Sequence, residues 1–202
     1  MIHGSEYIKV TLYIALFLSI PGPTNTLLLC SGYTQGFVKS IKLTLSEWLG
    51  YLLAVTTWGL LFNYLAQHGN PVLSVIKILS AFYVVYLAIK VWRFSLHQAS
   101  GNITFSTVFI TTLLNPKAFL FADSIIPPSA FIYQDSYIYA MLCLLLALLP
   151  ISFIWIYSGT LIRRSDASNQ YRLKPTLFYR GASLIISLFA ASMFYKSVSM
   201  MF

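Results

Sequence analysis

Six stretches of about 20 mostly apolar residues follow one another along this chain of 202 residues, and an α-helix of that length crosses the hydrocarbon core of a membrane. Only 9% of the residues are charged and 58% are hydrophobic, which excludes an ordinary soluble domain. The sequence therefore predicts an all-α integral membrane protein of one domain, residues 1–202, with six transmembrane helices. They are predicted at Tyr7–Cys30, Ile41–Leu65, Val72–Val91, Ser106–Ile126, Ser136–Leu161 and Leu177–Ser199.

Lysine and arginine residues between the predicted spans indicate their orientation. They occupy the gaps after the first, third and fifth spans, and the gaps after the second and fourth contain none. The positive-inside rule then places the odd-numbered loops in the cytoplasm and both termini outside. These loops also explain the net charge of +8, so no nucleic-acid partner is expected. The positive residues assigned to these loops are Lys39, Lys42, Lys90, Arg93, Arg163, Arg164, Arg172, Lys174 and Arg180.

A proline-glycine-proline sequence interrupts the first span at Pro21, Gly22 and Pro23. Each proline removes a backbone donor and clashes with the preceding turn, so the helix must break here. In one interpretation the break is a kink, and Thr24 and Asn25 satisfy its loose backbone groups. In the other it is a binding site, where unwound carbonyls accept from an ammonium and the amides of the new helix bind a carboxylate.

The fourth span contains a second break, at Asn115, Pro116 and Lys117. It falls about ten residues into the span, near the middle of the ~30 Å hydrocarbon core. The break is either a kink capped by Asn115, with Lys117 extending away to the interface, or part of a functional site. We favour the functional interpretation, because ionisable residues inside a membrane are candidates for function by default.

The two breaks suggest an internal repeat. Aligning Pro23 with Pro116 superimposes two apolar segments that each lead into a proline break, and it aligns the second span with the fifth. Since each repeat has three spans, the second copy enters the membrane upside down. The sequence therefore predicts a 3+3 inverted repeat, about residues 1–97 and 98–202, with broken helices one and four. Many secondary transporters have this plan, with the substrate site at paired broken helices near the midplane.

The charged residues within the predicted spans include Glu47, Lys77, Lys117 and Asp123. An unpaired charge costs about 2.5–3.5 kcal/mol at a helix centre, so partners are expected. Lys77 and Asp123 should lie at a similar depth near the outer surface, and we predict a structural ion pair between them. Glu47 is either an interfacial residue near the start of its helix or a site for a proton or a substrate amine.

Other kinds of chemistry find no support in the sequence. Cys30 and Cys143 lie in apolar surroundings without metal or redox spacing, and His3, His68 and His97 are isolated from one another. No nucleophile-base set or phosphate-binding loop is present. We therefore expect no catalytic residue, no cofactor and no metal site. The first span lacks a small-residue cleavage pattern and is predicted to be retained rather than removed as a signal peptide.

Several motifs give the chain a family resemblance. Six segments are Pro21–Leu28, Tyr33–Gly36, Glu47–Tyr51, Lys77–Leu87, Asn115–Ala118 and Arg180–Ala182. They occur in the same order as the signatures of the LysE/RhtB amino acid exporter family, which this chain resembles over nearly its whole length. The sequence departs from the pattern at three positions. Thr24 separates the proline from Asn25, Glu47 replaces the more usual aspartate, and Asp123 adds an acid to a stretch that is normally apolar.

The resemblance implies a multi-pass exporter in the lipid bilayer of the bacterial inner membrane. It would move amino acids or related small metabolites out of the cytoplasm, driven by a coupling proton or the membrane potential. We predict a site bounded by Pro21–Asn25 and Asn115–Lys117, where Lys117 binds a carboxylate and Glu47 binds an amine or the proton. The alternatives are an exporter of a cation or osmolyte on the same fold and a membrane-embedded enzyme; homo-oligomerisation stays open.

Overall fold

The computed structural model describes residues 4–67 and 103–168, together with the single positions 82, 85, 86, 89 and 191. Every regular element in these two ranges is helical. A π-helical turn, Phe121–Ile125, continues the sixth helix, and a 3₁₀ turn, Pro128–Phe131, precedes the seventh. The helices are α1 (Gly4–Ser19), α2 (Pro23–Gln35), α3 (Phe37–Ser40), α4 (Leu43–Gln67), α5 (Phe105–Leu113), α6 (Pro116–Leu120) and α7 (Gln134–Ser168).

These helices form a multi-pass integral membrane protein. Within the described ranges, two segments are long and apolar enough to cross a membrane, Phe37–Ala66 with 30 residues and Gln134–Ser165 with 32 residues. Two further helix pairs, each bent at a short break, bring the number of spans to four if each pair crosses once. The predicted third and sixth spans, Val72–Val91 and Leu177–Ser199, lie outside the described ranges.

The bends coincide with the two proline breaks. Tyr7–Ser19 and Pro23–Gln35 meet at 63°, and Phe105–Leu113 and Pro116–Ile125 meet at 43°. A proline at the first position of α2 and of α6 starts each new helix, because a missing amide hydrogen costs nothing there.

Two predicted helix ends were wrong. The helix α2 continues past Cys30 to Gln35, where Gly36 has a positive φ of 83° and ends it. The helix α7 continues past Leu161 to Ser168. The prediction followed the apolar stretch, and both helices extend beyond it into more polar sequence.

The two broken helices run in opposite directions. Tyr7, near the start of α1, lies against Tyr139, near the start of α7, with ring centroids 5.2 Å apart. At the other end of α2, the side-chain amide of Gln35 donates to the carbonyl oxygen of Ile103, at 3.0 Å, just before α5 begins. The first broken helix therefore ends beside the point where the second one starts.

One segment of each broken helix packs closely on a long helix, α2 on α7 and α5 on α4. Between α2 and α7, a Cβ atom at Gly32 would lie 2.0 Å from the carbonyl oxygen of Ile156, and one at Gly159 would lie 1.9 Å from that of Leu29. Between α4 and α5, a Cβ atom at Gly50 would lie 2.7 Å from the Cβ of Thr112. Glycine brings these backbones together in the way typical of membrane helix pairs. This reciprocal packing brings the two breaks to the same place.

Candidate functional site

The side chain of Lys117 joins the second break to the first. Its ammonium donates to the carbonyl oxygen of Ile20 and, at 3.5 Å, to that of Leu18. The side chain is only 6% exposed, so it does not extend to the interface. It runs against Gly22, where a Cβ atom would lie 3.2 Å from Cε of the lysine. A cation from the second break therefore covers the carbonyls that the first break frees.

Asn25 donates to the same two carbonyls. Its side-chain amide lies 2.5 Å from the oxygen of Leu18 and 3.0 Å from that of Ile20. Each oxygen has two lone pairs and here accepts from both Asn25 and Lys117. The first break thus combines the local capping expected of a kink with a carbonyl-to-ammonium contact, and the ammonium is the chain's own.

Asn115 organises the second break and ties it to two other helices. Its side-chain oxygen accepts from the backbone amide of Lys117 at 3.1 Å and caps α6. Its side-chain nitrogen donates to the hydroxyl oxygens of Thr24, at 2.9 Å, and Tyr51, at 3.1 Å. Asn115, Thr24 and Tyr51 are all at most 2% exposed. One buried amide therefore connects α2, α4 and α6.

A pair of threonines extends this hydrogen-bonded chain into α5. The hydroxyl oxygens of Thr24 and Thr112 lie 3.2 Å apart, and the hydroxyl of Thr112 donates to the carbonyl oxygen of Val108 at 2.8 Å. Because Thr112 has one hydroxyl hydrogen and gives it to Val108, Thr24 is the donor in the bond between the threonines. The polar atoms at the breaks are thus bonded to one another rather than exposed.

Glu47 is buried at 1% exposure, where α4 packs against α7. Its carboxylate accepts from the hydroxyl of Ser152, which also lies 2.8 Å from the carbonyl oxygen of Leu148. Glu47 stands one helical turn before Tyr51 on α4, so the two side chains share a face. The ammonium of Lys117 is bonded elsewhere, to the carbonyls of the first break.

The helices that begin at the site differ in how their first amides are bonded. Asn115 caps α6, and Thr104 caps α5 by accepting from the amide of Thr107. Gly22 stands at the same position before α2 and provides no side-chain hydrogen bond. The first amides of α2, beyond Pro23, are therefore left without a side-chain cap, at the positive end of a helix dipole.

Most of the predicted site residues come together around the two breaks. Thr24 and Gly22 contact Asn115 and Lys117 directly, and Glu47 lies one turn from Tyr51. The ion pair predicted between Lys77 and Asp123 lies partly outside the described residues, because the structure describes only the acid. Asp123 lies in the π-helical turn and accepts from the hydroxyl of Ser124 at 2.9 Å.

Sequence reasoning missed three polar residues of this region. The spacing of four between Glu47 and Tyr51 could have indicated Tyr51, since such residues share a helix face. Thr112 and Ser152 gave no comparable signal, because their partners Thr24 and Glu47 lie 88 and 105 residues away in the chain. Only the packing of α5 and α7 brings them to the site.

No metal cluster marks this region within the part of the chain that the structure describes. Residues 4–67 and 103–168 contain no group of three or more His, Cys, Asp or Glu side chains that could hold a metal ion. A cavity of about 220 Å³ lies between α4 and α7, and its mostly apolar lining, with Trp48, Leu149 and Phe153, includes neither break. The polar cluster is therefore distinct from this cavity.

Comparison with known protein families gives a match over most of the chain. The model of the LysE type translocator family matches residues 14–197, a stretch that includes both breaks and Glu47. No curated protein and no solved structure matches the chain.

Proposed function

The chain belongs to the LysE type translocator family, and from that premise we propose that it exports amino acids or closely related metabolites from the cytoplasm. It is a membrane exporter of small solutes. The proposal adds the substrate class, an energy source in the proton gradient or the membrane potential, and a location in the bacterial inner membrane.

The main support for the substrate class is that two buried, opposite charges are not bonded to each other. The carboxylate of Glu47 is bonded to Ser152, and the ammonium of Lys117 is bonded to the backbone of the first break. Buried charges need partners, and here each has a neutral one. A zwitterionic amino acid presents a carboxylate to Lys117 and an ammonium to Glu47, so it matches both. Glu47 is also the residue for a coupling proton when no amine is bound.

Movement between the two halves provides access to this site. In the described conformation the polar groups are bonded to one another, so a solute reaches Lys117 only after some of these bonds open. Opposed broken helices that pack on each other's half suit a 3+3 inverted repeat of six spans, in which one unit rocks against the other. Opening would draw Lys117 away from the carbonyls of Leu18 and Ile20.

The exposed positive charges support the proposed orientation. Lys39 in α3 and Lys42 just after it are exposed, and Arg163 and Arg164 are exposed near the end of α7. They belong to the same end of the molecule, since Arg163 lies beside Gly36, with its Nη1 atom 3.6 Å from where a Cβ would stand. The positive-inside rule makes this end cytoplasmic.

Counterflow in proteoliposomes tests the function. Purified protein is reconstituted with an unlabelled amino acid inside, and uptake of the labelled form is followed across a panel of amino acids and analogues. We expect exchange of at least one amino acid by the wild type. Glu47→Gln and Lys117→Met should abolish it, because each removes one of the two charges.

Exposed charges provide matched controls for these two variants. Asp135→Asn and Lys9→Met remove exposed charges of the same sign and should exchange like the wild type. Normal exchange by Glu47→Gln and Lys117→Met would refute the site. Exchange of a cation or osmolyte alone would refute the substrate class, and chemical conversion of a probe would revive the enzyme alternative.

A further inference from the structure

The hydroxyl of Tyr51 has a hydrogen to donate and no acceptor for it among the residues that the structure describes. Its oxygen accepts from Asn115 at 3.1 Å, and the two hydrogens of that amide are used by Tyr51 and Thr24. The side chain is 0% exposed. A buried hydroxyl normally donates as well as accepts, so the free hydrogen of Tyr51 indicates a missing acceptor.

The surroundings of Tyr51 favour an anionic acceptor. Asn115 is bonded to the hydroxyl oxygens of both Tyr51 and Thr24. Thr24 is the second residue of α2, and the first amides of this helix have no side-chain cap. The helix dipole adds positive potential at this end of α2. The ammonium of Lys117 lies against Gly22, the residue before the same helix. Three kinds of donor thus belong to one end of α2, and a carboxylate is the acceptor that suits all of them.

We propose that Tyr51 is a substrate-binding residue whose hydroxyl donates to the carboxylate of the transported solute. This inference rests on the proposed export of amino acids and adds a specificity determinant to that site. Asn115 fixes the hydroxyl oxygen, so the hydrogen is directed before the solute arrives. Glu47, one turn earlier on α4 and about 6 Å away along the helix axis, then takes the ammonium end.

Paired probes that differ only in the carboxylate test the proposal. L-Alanine is compared with ethylamine, and L-leucine with 3-methylbutylamine, by binding to the purified protein in detergent. The proteins are the wild type and Tyr51→Phe, which keeps the ring contact with Phe121 at 5.6 Å between centroids. Tyr137→Phe is the matched control, because it removes a tyrosine hydroxyl that is bonded to Thr56 at 2.8 Å, away from the breaks.

We expect Tyr51→Phe to bind the amino acids about 10- to 100-fold more weakly, the usual effect of losing a hydrogen bond to a charged group, and to bind the amines unchanged. Tyr137→Phe should bind all probes like the wild type. A purely structural role for Tyr51, as acceptor for Asn115, would weaken both members of a pair equally, and that result would overturn the proposal.

The wild type provides a test that needs no variant, should Tyr51→Phe not fold. It should bind each amino acid more tightly than the paired amine, and equal affinities would overturn the proposal. Counterflow separates this inference from the function on which it rests. If the wild type exchanges an amino acid and Tyr51→Phe binds it equally well, only the role of Tyr51 fails. If the wild type neither binds nor exchanges any amino acid, the proposed function fails and this inference with it.

Discussion

Lys117 donates to the carbonyl oxygen of Ile20, although 97 residues separate them in the chain. The bond joins the helix break of one half to that of the other. Because Asn25 donates to the same oxygen at 3.0 Å, the first break has both a local donor and a distant one. In the proposed transport cycle the local donor maintains the bend and the distant donor leaves.

This arrangement predicts strong coupling between Asn25 and Lys117 in a double-mutant cycle. Asn25→Ala or Lys117→Met alone leaves each carbonyl of the break with one donor. The double variant leaves buried carbonyls with none, at a cost of about 1–3 kcal/mol for each. We therefore expect the apparent melting temperature in detergent to fall further in the double variant than the two single effects add up to.

A matched cycle with Lys9→Met in place of Lys117→Met should be additive, since Lys9 is exposed. Additive effects of Asn25→Ala and Lys117→Met would contradict the shared role of these two donors.

Gly22→Ala tests the position of Lys117. The backbone of Gly22 is extended, with φ of −153° and ψ of −178°, so alanine can adopt it. The obstacle is the lysine side chain, since the new Cβ would lie 3.2 Å from its Cε and 3.4 Å from its Nζ. We expect Gly22→Ala to displace the ammonium and lower the exchange rate in counterflow.

The lysine-free background provides the control. In Lys117→Ala, which has neither the Cε nor the ammonium, Gly22→Ala should change the melting temperature less than it does in the wild type. An equal change in both backgrounds would mean that the glycine serves another purpose.

The sequence predicted the positions of the two breaks better than their hydrogen bonds. Prolines at 21, 23 and 116 are strong local signals, and they placed both breaks correctly. The partner of Lys117 was not predictable, because it is a backbone carbonyl, and which carbonyls a break leaves open depends on the bend of the helix. Burial of Glu47 was likewise undecided from position alone. Its depth depends on α7, which brings Ser152 against it.

Ser152→Ala should slow transport. The single hydroxyl hydrogen of Ser152 has two acceptors, the carboxylate of Glu47 and the carbonyl oxygen of Leu148. The carbonyl already belongs to the helix and loses little, whereas a bond to a charged group contributes about 1.5–3 kcal/mol. We expect an exchange rate in counterflow lower by about tenfold or more, and a lower melting temperature, because the buried carboxylate loses its partner.

Ser158→Ala is the matched control on the same helix. Its hydroxyl makes the same bond to the carbonyl four residues earlier, that of Ile154 at 2.7 Å, and this bond is exposed. Equal exchange rates for the two serine variants would show that Ser152 does not act through Glu47.

The close contacts at Gly59 and Gly32 should respond differently to second-site changes. In Gly59→Ala the new Cβ would lie 2.1 Å from ring atoms of Phe131, and in Gly32→Ala it would lie 2.0 Å from the carbonyl oxygen of Ile156. Both variants should be destabilised, since overpacking costs about 1–3 kcal/mol.

Phe131→Ala removes the first obstacle and should reduce the effect of Gly59→Ala on the melting temperature. Ile156→Ala leaves the second obstacle in place, because that obstacle is backbone, and should not relieve Gly32→Ala. Relief of Gly32→Ala by Ile156→Ala would mean that α2 and α7 can separate, and that the close approach of their backbones does not hold the two halves together.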